Sequence, residues 1–305
     1  LSNSLWALAE LNEKPSELLL NAYIQAILTQ IESSFNSQNL ANTLWAFAKF
    51  GVIPENRLLS MYTREIRNRI HLLNPQDISN TIWALATFGV TLDDRLLNKY
   101  MDAMSKQIET FNAQCLANTL WALAKLGAIP DEELLNIYRE ALLHQIDSFN
   151  AQNIAITLWA FAKLGVIPDD VLLNKYREAI LDKIDSFNGQ NISNTLWAFA
   201  TLGVIPDDVL LNKYRDAISK QIKTFSAQCC ANTLWAFAKL GVIPDEEFLN
   251  KYRYAILHQI DSFNAQDLSN TLWAFAKFDI KENDELHHQC IQAIKSRLSN
   301  TEVQQ

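Results

Sequence analysis

The sequence predicts an all-α protein, a right-handed α-solenoid or superhelix of about eight helix-turn-helix repeats of 38 residues, and three observations carry that prediction. All eight Trp stand in one motif, at Trp6, Trp45, Trp83, Trp121, Trp159, Trp197, Trp235 and Trp273, spaced by 39 once and by 38 thereafter. Fixed self-similarity at such a period marks an array whose units bury their apolar faces on one another. The composition, 49% apolar and 20% charged with seven Gly and seven Pro in 305 residues, describes an ordered soluble chain and excludes disordered, collagenous and membrane-spanning classes. Within each unit the apolar residues recur at steps of three and four, the period of a helix face.

The elements of one unit follow in order from their punctuation. Asn150 offers an N-cap side chain, Ala151 to Leu164 runs without Pro or Gly, and Gly165 stands where a left-handed residue closes a helix. This is helix A. Val166 and Ile167 form a turn, Pro168 suits a first helical position, and Asp169 and Asp170 complement the positive end of the next helix dipole. Helix B then runs to about Asp185, with Leu172, Leu173, Tyr176, Ile180 and Ile184 on its core face and Asp169, Lys175, Glu178 and Asp182 opposite. Two such helices cannot bury their apolar faces alone, so the units stack. No linker interrupts the array, and residues 1–305 read as a single domain with atypical or truncated first and last units.

On a 100° wheel, helix A of the second unit spreads Phe50, Thr43, Phe47, Leu40, Leu44, Ala48, Ala41 and Trp45 round a wide arc. Lys49, Asn42, Ala46 and Asn39 remain as a narrow stripe, expected to face the concave groove of an inner helix layer. The position after the repeated Gln varies through Asn39, Asp77, Cys115, Asn153, Asn191, Cys229 and Asp267. Three residues on, Asn returns as Asn42, Asn80, Asn118, Asn194, Asn232 and Asn270, with Ile156 the exception. These two rows are the candidate base-reading residues. Thr43, Thr81, Thr119, Thr157, Thr195, Thr233 and Thr271 stand beside the Asn row as candidate secondary contacts. Seven residues after the Asn row a cation recurs as Lys49, Lys125, Lys163, Lys239 and Lys277, the candidate phosphate ligands, with Thr87 and Thr201 in the other two units.

The net charge of −8 disfavours non-specific adhesion to nucleic acid or anionic lipid but leaves room for a local basic stripe. The stripe sets five Lys against Glu10, Asp77 and Asp267, a local balance of +2 that leaves −10 for the rest of the chain. An acidic back with a mildly basic polar groove fits an extended anion, with Lys on phosphates and Asn, Asp or Thr on base edges. Modular RNA readers choose one base per repeat with two or three side chains. The expected function is therefore sequence-specific binding of single-stranded RNA through the helix A surface.

Each row has an alternative. The Trp, beside the small Ala41 and Ala48, read as packing more readily than as base-stacking platforms. The Asn row suits a ladder between helices as well as a ligand contact, and Lys on a helix face is commonly only solvated. Asn and Asp after the Gln are favoured there for capping, which does not explain Cys. A scaffold of the HEAT or armadillo kind, clamping an extended peptide, is the alternative function.

The run Gln-x-Leu-Ala-Asn-Thr-Leu-Trp-Ala-Leu-Ala-Lys-Leu-Gly at Gln114 to Gly127, with Phe for one Leu in most units, resembles the octotricopeptide repeat (OPR) family, whose period it shares. The resemblance implies single-stranded RNA binding by a helical-repeat superhelix that controls maturation, stability or translation of particular transcripts, in organelles or in intracellular bacteria. Here the opening of the second helix is only Ile-Pro-Asp, where that family carries a Pro-rich, Trp-containing segment.

No catalytic constellation, cofactor or metal is expected. His144 and His258 stand three units apart, His71 lies among Arg64, Arg67 and Arg69, and His287, His288 and Cys290 give a metal few ligands. Four Cys in this length do not form a disulfide framework, so a reducing intracellular compartment is expected: organelle stroma or matrix, cytoplasm, or a bacterial interior. The opening Leu1-Ser2-Asn3-Ser4-Leu5-Trp6 has no signal-peptide character and reads as cut from something longer, with no nuclease-like domain after the repeats. Self-association through uncapped repeat ends is a further expectation.

Overall fold

The computed structural model describes residues 1–279 and 288–295. Its α-helices in chain order are α1 (Ser2–Glu10), α2 (Glu17–Gln30), α3 (Ser37–Lys49), α4 (Asn56–Arg69), α5 (Pro75–Thr87), α6 (Asp94–Gln107), α7 (Ala113–Leu126), α8 (Glu132–Gln145), α9 (Ala151–Leu164), α10 (Asp170–Lys183), α11 (Gly189–Leu202), α12 (Asp208–Gln221), α13 (Ala227–Lys239), α14 (Glu246–Leu257) and α15 (Ala265–Lys277). Residues 288–295 are helical again, and the described residues include no strand. The chain is an all-α helical repeat protein in which odd-numbered helices take the part of helix A and even-numbered ones that of helix B.

It divides into two compact units, Leu1–Ser148 and Phe149–Gln305. In the first, α1, α3, α5 and α7 pack side by side in sequence order. In the second, α9, α11, α13 and α15 do the same. Within each unit the even-numbered helices form a second layer against them.

The expected punctuation is present. Asn150 accepts the Asn153 N–H at 2.8 Å, and α9 closes on Gly165 at φ +70°, with the Val166 N–H reaching back to the Phe161 carbonyl at 3.0 Å. A Cβ on Gly165 would meet no atom within 4 Å, so glycine is required there by the backbone alone. One detail differs. Asp169, not a residue before it, is the N-cap of α10, accepting the Leu172 N–H at 2.8 Å, and Pro168 lies buried one place outside the helix. The carboxylate fills an orphan donor that proline at the first helical position would leave untouched. Asp93, Asp131, Asp207 and Asp245 cap α6, α8, α12 and α14 in the same way, which puts exposed acid along the helix B starts.

Helix B turns its apolar side inward as the spacing predicts, Leu172, Tyr176 and Ile180 each being fully buried. Burial of side chains this size contributes about 1.5–3 kcal/mol each. After α10 the chain tightens into a 3₁₀ turn, Ile184–Ser186. Two polar contacts recur across the hairpins. Midway, the tyrosine of helix B donates to the threonine of helix A, as Tyr62 to Thr43, Tyr138 to Thr119, Tyr176 to Thr157 and Tyr252 to Thr233, all at 2.7–2.8 Å. Tyr100 and Tyr214 face Thr81 and Thr195 without reaching hydrogen-bond geometry. At the open end, the amide of Gln145 donates to the Phe111 carbonyl just before α7, and Gln107, Gln221 and Gln259 do likewise to Leu73, Phe187 and Phe225. Arg69 makes the equivalent contact to the Phe35 carbonyl.

Candidate nucleic-acid interface

Helix A exposes one narrow face, and it is rotated from the one the wheel selected. Ala46, assigned to the stripe, has no exposed surface, whereas Trp45, assigned to the buried arc, is half-exposed. The face runs through Gln38, Asn42, Trp45 and Lys49, at steps of four, three and four. In the first unit these rows meet in a groove of about 550 Å³ lined by Asn3, Trp6, Ala7, Glu10, Gln38, Asn42, Trp45, Gln76, Asn80 and Gln114, contributed by α1, α3, α5 and α7.

The Asn row sits on this face. Asn42, Asn118, Asn194, Asn232 and Asn270 are half-exposed, and Asn80, 4% exposed, accepts a bond from the Gln76 amide at 2.9 Å. Gln266 holds Asn270 in the same way at 2.8 Å, and Asn270 in turn reaches Asn232 at 3.5 Å, so neighbouring repeats present adjoining amides. Ile156 occupies the row in α9 and is also half-exposed.

The variable position lies one step inside. Asp77, Cys115, Asn153, Asn191, Cys229 and Asp267 are all buried, between 1% and 8% exposed, and only Asn39 is half-exposed. Their place is the third residue of the helix, and in four of them the side chain turns back to the cap: Asn39, Asp77, Asn191 and Asp267 complete capping boxes with Asn36, Asn74, Asn188 and Asn264. Asn39 also donates to Ser2 at 2.6 Å, and the Cys115 thiol to Gln76 at 3.6 Å. Desolvation pushes the Asp77 and Asp267 carboxyls above the usual carboxylate range against the backbone bonds from Asn74 and Asn264, and burial raises the Cys115 thiol.

Thr43, Thr81, Thr119, Thr157, Thr195, Thr233 and Thr271 have no exposed surface at all. Each donates to the carbonyl four residues back, and the oxygens of Thr43, Thr119, Thr157 and Thr233 accept from the tyrosines of helix B. Side chains enclosed in this way face the hairpin interior and not the groove.

The cations are in the open. Lys49, Lys125, Lys163, Lys239 and Lys277 are exposed, as are Thr87 and Thr201 in the same row. The ammonium groups of Lys49 and Lys277 stand 5.5 and 5.6 Å from the ring centres of Trp45 and Trp273. The indoles form a tilted series, Trp45–Trp83 at 6.5 Å and Trp83–Trp121 at 6.3 Å in the first unit, Trp159–Trp197 at 6.3 Å and Trp235–Trp273 at 6.1 Å in the second. Trp6 and Trp273 are the most open, at 38% and 37%.

Sequence reasoning missed one row. Gln38, Gln76, Gln114, Gln152, Gln190, Gln228 and Gln266 are exposed in every repeat, one residue before the variable position. Their constancy served as a landmark for the neighbour, while the signal that could have found them is the four-residue step to the Asn row. His71, His144 and His258 are exposed. His287 lies outside the described residues, within which His288 is exposed, Cys290 is buried and no group of three metal-binding side chains gathers. All four cysteines are buried, and the Cys230 thiol is pushed up to about 12 by desolvation first and by Cys229 and Asp267. No described helix is long and apolar enough to cross a membrane.

The family model described as RNA-editing substrate-binding complex 6 protein matches this array over residues 5–243 and again over 129–283. The chain belongs to the RNA-editing substrate-binding complex 6 protein family. That assignment corrects the resemblance to the octotricopeptide repeat family, which rested on a shared period and a Trp-containing motif. A helix pair that stacks on copies of itself constrains period and packing residues whatever its descent, so both features are consequences of the architecture. No protein of curated function matches in sequence. A crystal structure of an engineered protein from the Northeast Structural Genomics Consortium aligns over 96% of this chain and 83% of its own at 15% identity, with a TM-score of 0.24. The fold of this family member accordingly stands on the helices described above.

Proposed function

We propose that this chain binds single-stranded RNA as a subunit of an RNA-editing substrate-binding complex, reading about one base per repeat along the helix A face. The observation that supports it is the groove of the first unit, where α1, α3, α5 and α7 bring amides and indoles of successive repeats onto one surface. Gln and Asn, four residues apart, offer a paired donor and acceptor set to a base edge. The half-exposed Trp beside them gives each base a π-face, and the open Lys row neutralises phosphates. Residues of the variable position act from beneath, setting the helix start on which Gln stands, and the Thr row acts by fixing helix A to helix B. The role is one of binding without catalysis, beside RNA and the other proteins of the complex.

Selection from a randomised single-stranded RNA pool, with winners titrated against salt and against DNA of equal sequence, tests the reading. Enrichment of one motif with steep salt dependence is expected. An unenriched pool, together with saturable binding of an extended peptide, would make the Gln and Asn rows a clamp for peptide backbone instead.

A further inference from the structure

The helix B layer carries two clefts of one design, one in each unit. In the first, the end of α6 with its 3₁₀ turn and the facing side of α8 enclose about 300 Å³ lined by Ile108, Glu109, Ile137, Glu140 and His144. In the second, the end of α12 with its turn and α14 enclose about 780 Å³ lined by Ser219, Lys220, Ile222, Lys223, Lys251 and Tyr254, with Glu247 and Asn250. The positions correspond three repeats apart, so Glu109 is replaced by Lys223, Ile137 by Lys251 and Glu140 by Tyr254. Acid is the common state of both charged positions, as Asp147, Asp185 and Asp261 at the first and Asp102, Glu178 and Asp216 at the second. The second cleft therefore inverts the charge of the acidic outer layer at one place and adds an aromatic ring there.

The ring is held open. Tyr254 is 53% exposed, whereas Tyr252 two residues before it and its counterparts Tyr62, Tyr100, Tyr138, Tyr176 and Tyr214 are enclosed. The His258 imidazole backs it with ring centres 3.9 Å apart, its Nδ1 lying 3.0 Å from the Tyr254 carbonyl. The Lys223 ammonium stands 5.9 Å from the Tyr254 ring centre. Lys220 and Lys251 pair with Asp185 at 3.1 Å and Glu247 at 2.9 Å, in contacts exposed enough for a phosphate to compete with. A planar surface with cations at its edge is what a nucleotide needs, since the base stacks and the phosphate pairs.

We propose that the cleft between α12 and α14 is a second binding site, for one nucleotide of a single-stranded RNA, with its base on Tyr254 and its phosphate at Lys223 and Lys220. It extends RNA contact from the inner layer to the outer one and is tested apart from the groove. The probe is an oligouridylate carrying 4-thiouridine, photo-crosslinked to the full chain, with the attached peptides mapped by mass spectrometry. Two variants accompany the wild type: Lys223→Glu with Tyr254→Glu, which copies the acids of the first unit's cleft and so keeps a surface this fold already accepts, and Tyr254→Phe, which keeps the ring.

Crosslinks on the α14 peptide are expected in the wild type and in Tyr254→Phe, and a loss of roughly tenfold in the double variant, the scale of one stacked base. Crosslinks on helix A peptides should be unchanged. Crosslinks on helix A alone, or an α14 signal that survives the double variant, overturn the second site while leaving the groove reading standing. An α14 signal without helix A crosslinks does the reverse. Displacement of the α14 crosslink by a glutamate decapeptide as effective as unlabelled oligouridylate also overturns the proposal, making the cleft a surface for acidic peptide.

Discussion

The Tyr138 hydroxyl donates to Thr119 Oγ1 at 2.8 Å, nineteen residues back, and Thr119 passes its own proton to the Cys115 carbonyl at 2.6 Å. This relay crosses the dry interior of a hairpin, where burial pushes the Tyr138 phenol well above its ordinary range and Thr119 opposes the shift. Tyr138→Phe removes one donor and leaves Thr119 with its carbonyl partner, so unfolding in urea should show a loss of about 1 kcal/mol. Tyr100→Phe removes a hydroxyl that has no partner and should be near neutral. Equal losses in the two variants would show that packing, not the bond, is what tyrosine contributes.

Asp77 supplies a pH-dependent term. Its carboxyl is raised above the ordinary value chiefly by desolvation, so the folded state holds the proton more tightly than the unfolded chain. Stability from this group is thus greatest below the unfolded value near 3.8 and declines as pH rises through the elevated folded one. Asp77→Asn should raise the thermal midpoint at pH 7 and lose its advantage near pH 3. The Asn36–Asn39 and Asn188–Asn191 boxes show that asparagine fits this place. A gain that persists unchanged at pH 3 would exclude the carboxylate as its origin.

Removing two exposed ammonium groups tests the phosphate contacts. Lys125→Ala combined with Lys163→Ala should weaken binding to every RNA sequence alike and reduce the salt slope by about 1.4, two phosphates of a single strand. A change confined to certain sequences would move these lysines from phosphate to base.

Neighbours on α7 separate the two polar rows. Gln114→Ala should change base preference at a single position of the selected motif, because its amide is exposed to the groove. Cys115→Asn should leave preference intact, its side chain being only 1% exposed. The opposite pattern in a second selection would return base reading to the variable position.

Gly165→Ala asks what the helix stop is worth. With φ at +70° and no atom near the new methyl, only the backbone resists, and the loss should be about 1 kcal/mol by urea titration.

Local rules were enough to draw the helices. Asn150 and Gly165 mark the ends of α9 to the residue, because capping and left-handed glycine act within one turn. The face of helix A was harder. A wheel counts hydrophobicity, and Trp45 weighs heavily in it, yet its indole lies half in the open while the single methyl of Ala46 is enclosed. Which side closes depends on how near the next helix A approaches, and small residues permit the nearest approach. The rotation of a few tens of degrees that follows is enough to exchange the variable row for the glutamine row. Descent, too, escaped a reading based on period, since stacking imposes a similar pattern on unrelated arrays.

The glutamine clasp at the open end of the hairpin has a kinetic consequence. Gln145 ties the last turn of α8 to Phe111, the residue before the N-cap of α7, and Gln107, Gln221 and Gln259 make the matching contact in their own helix pairs. A helix pair pinned at turn, middle and end, as α7–α8 and α13–α14 are, cannot fray from its tip, so amide protons along it exchange only when the whole pair lifts away. Hydrogen exchange should then fall into blocks bounded by the repeats, each behaving as one foldon, and Gln145→Ala should convert its block from concerted opening to gradual unzipping from the clasped end.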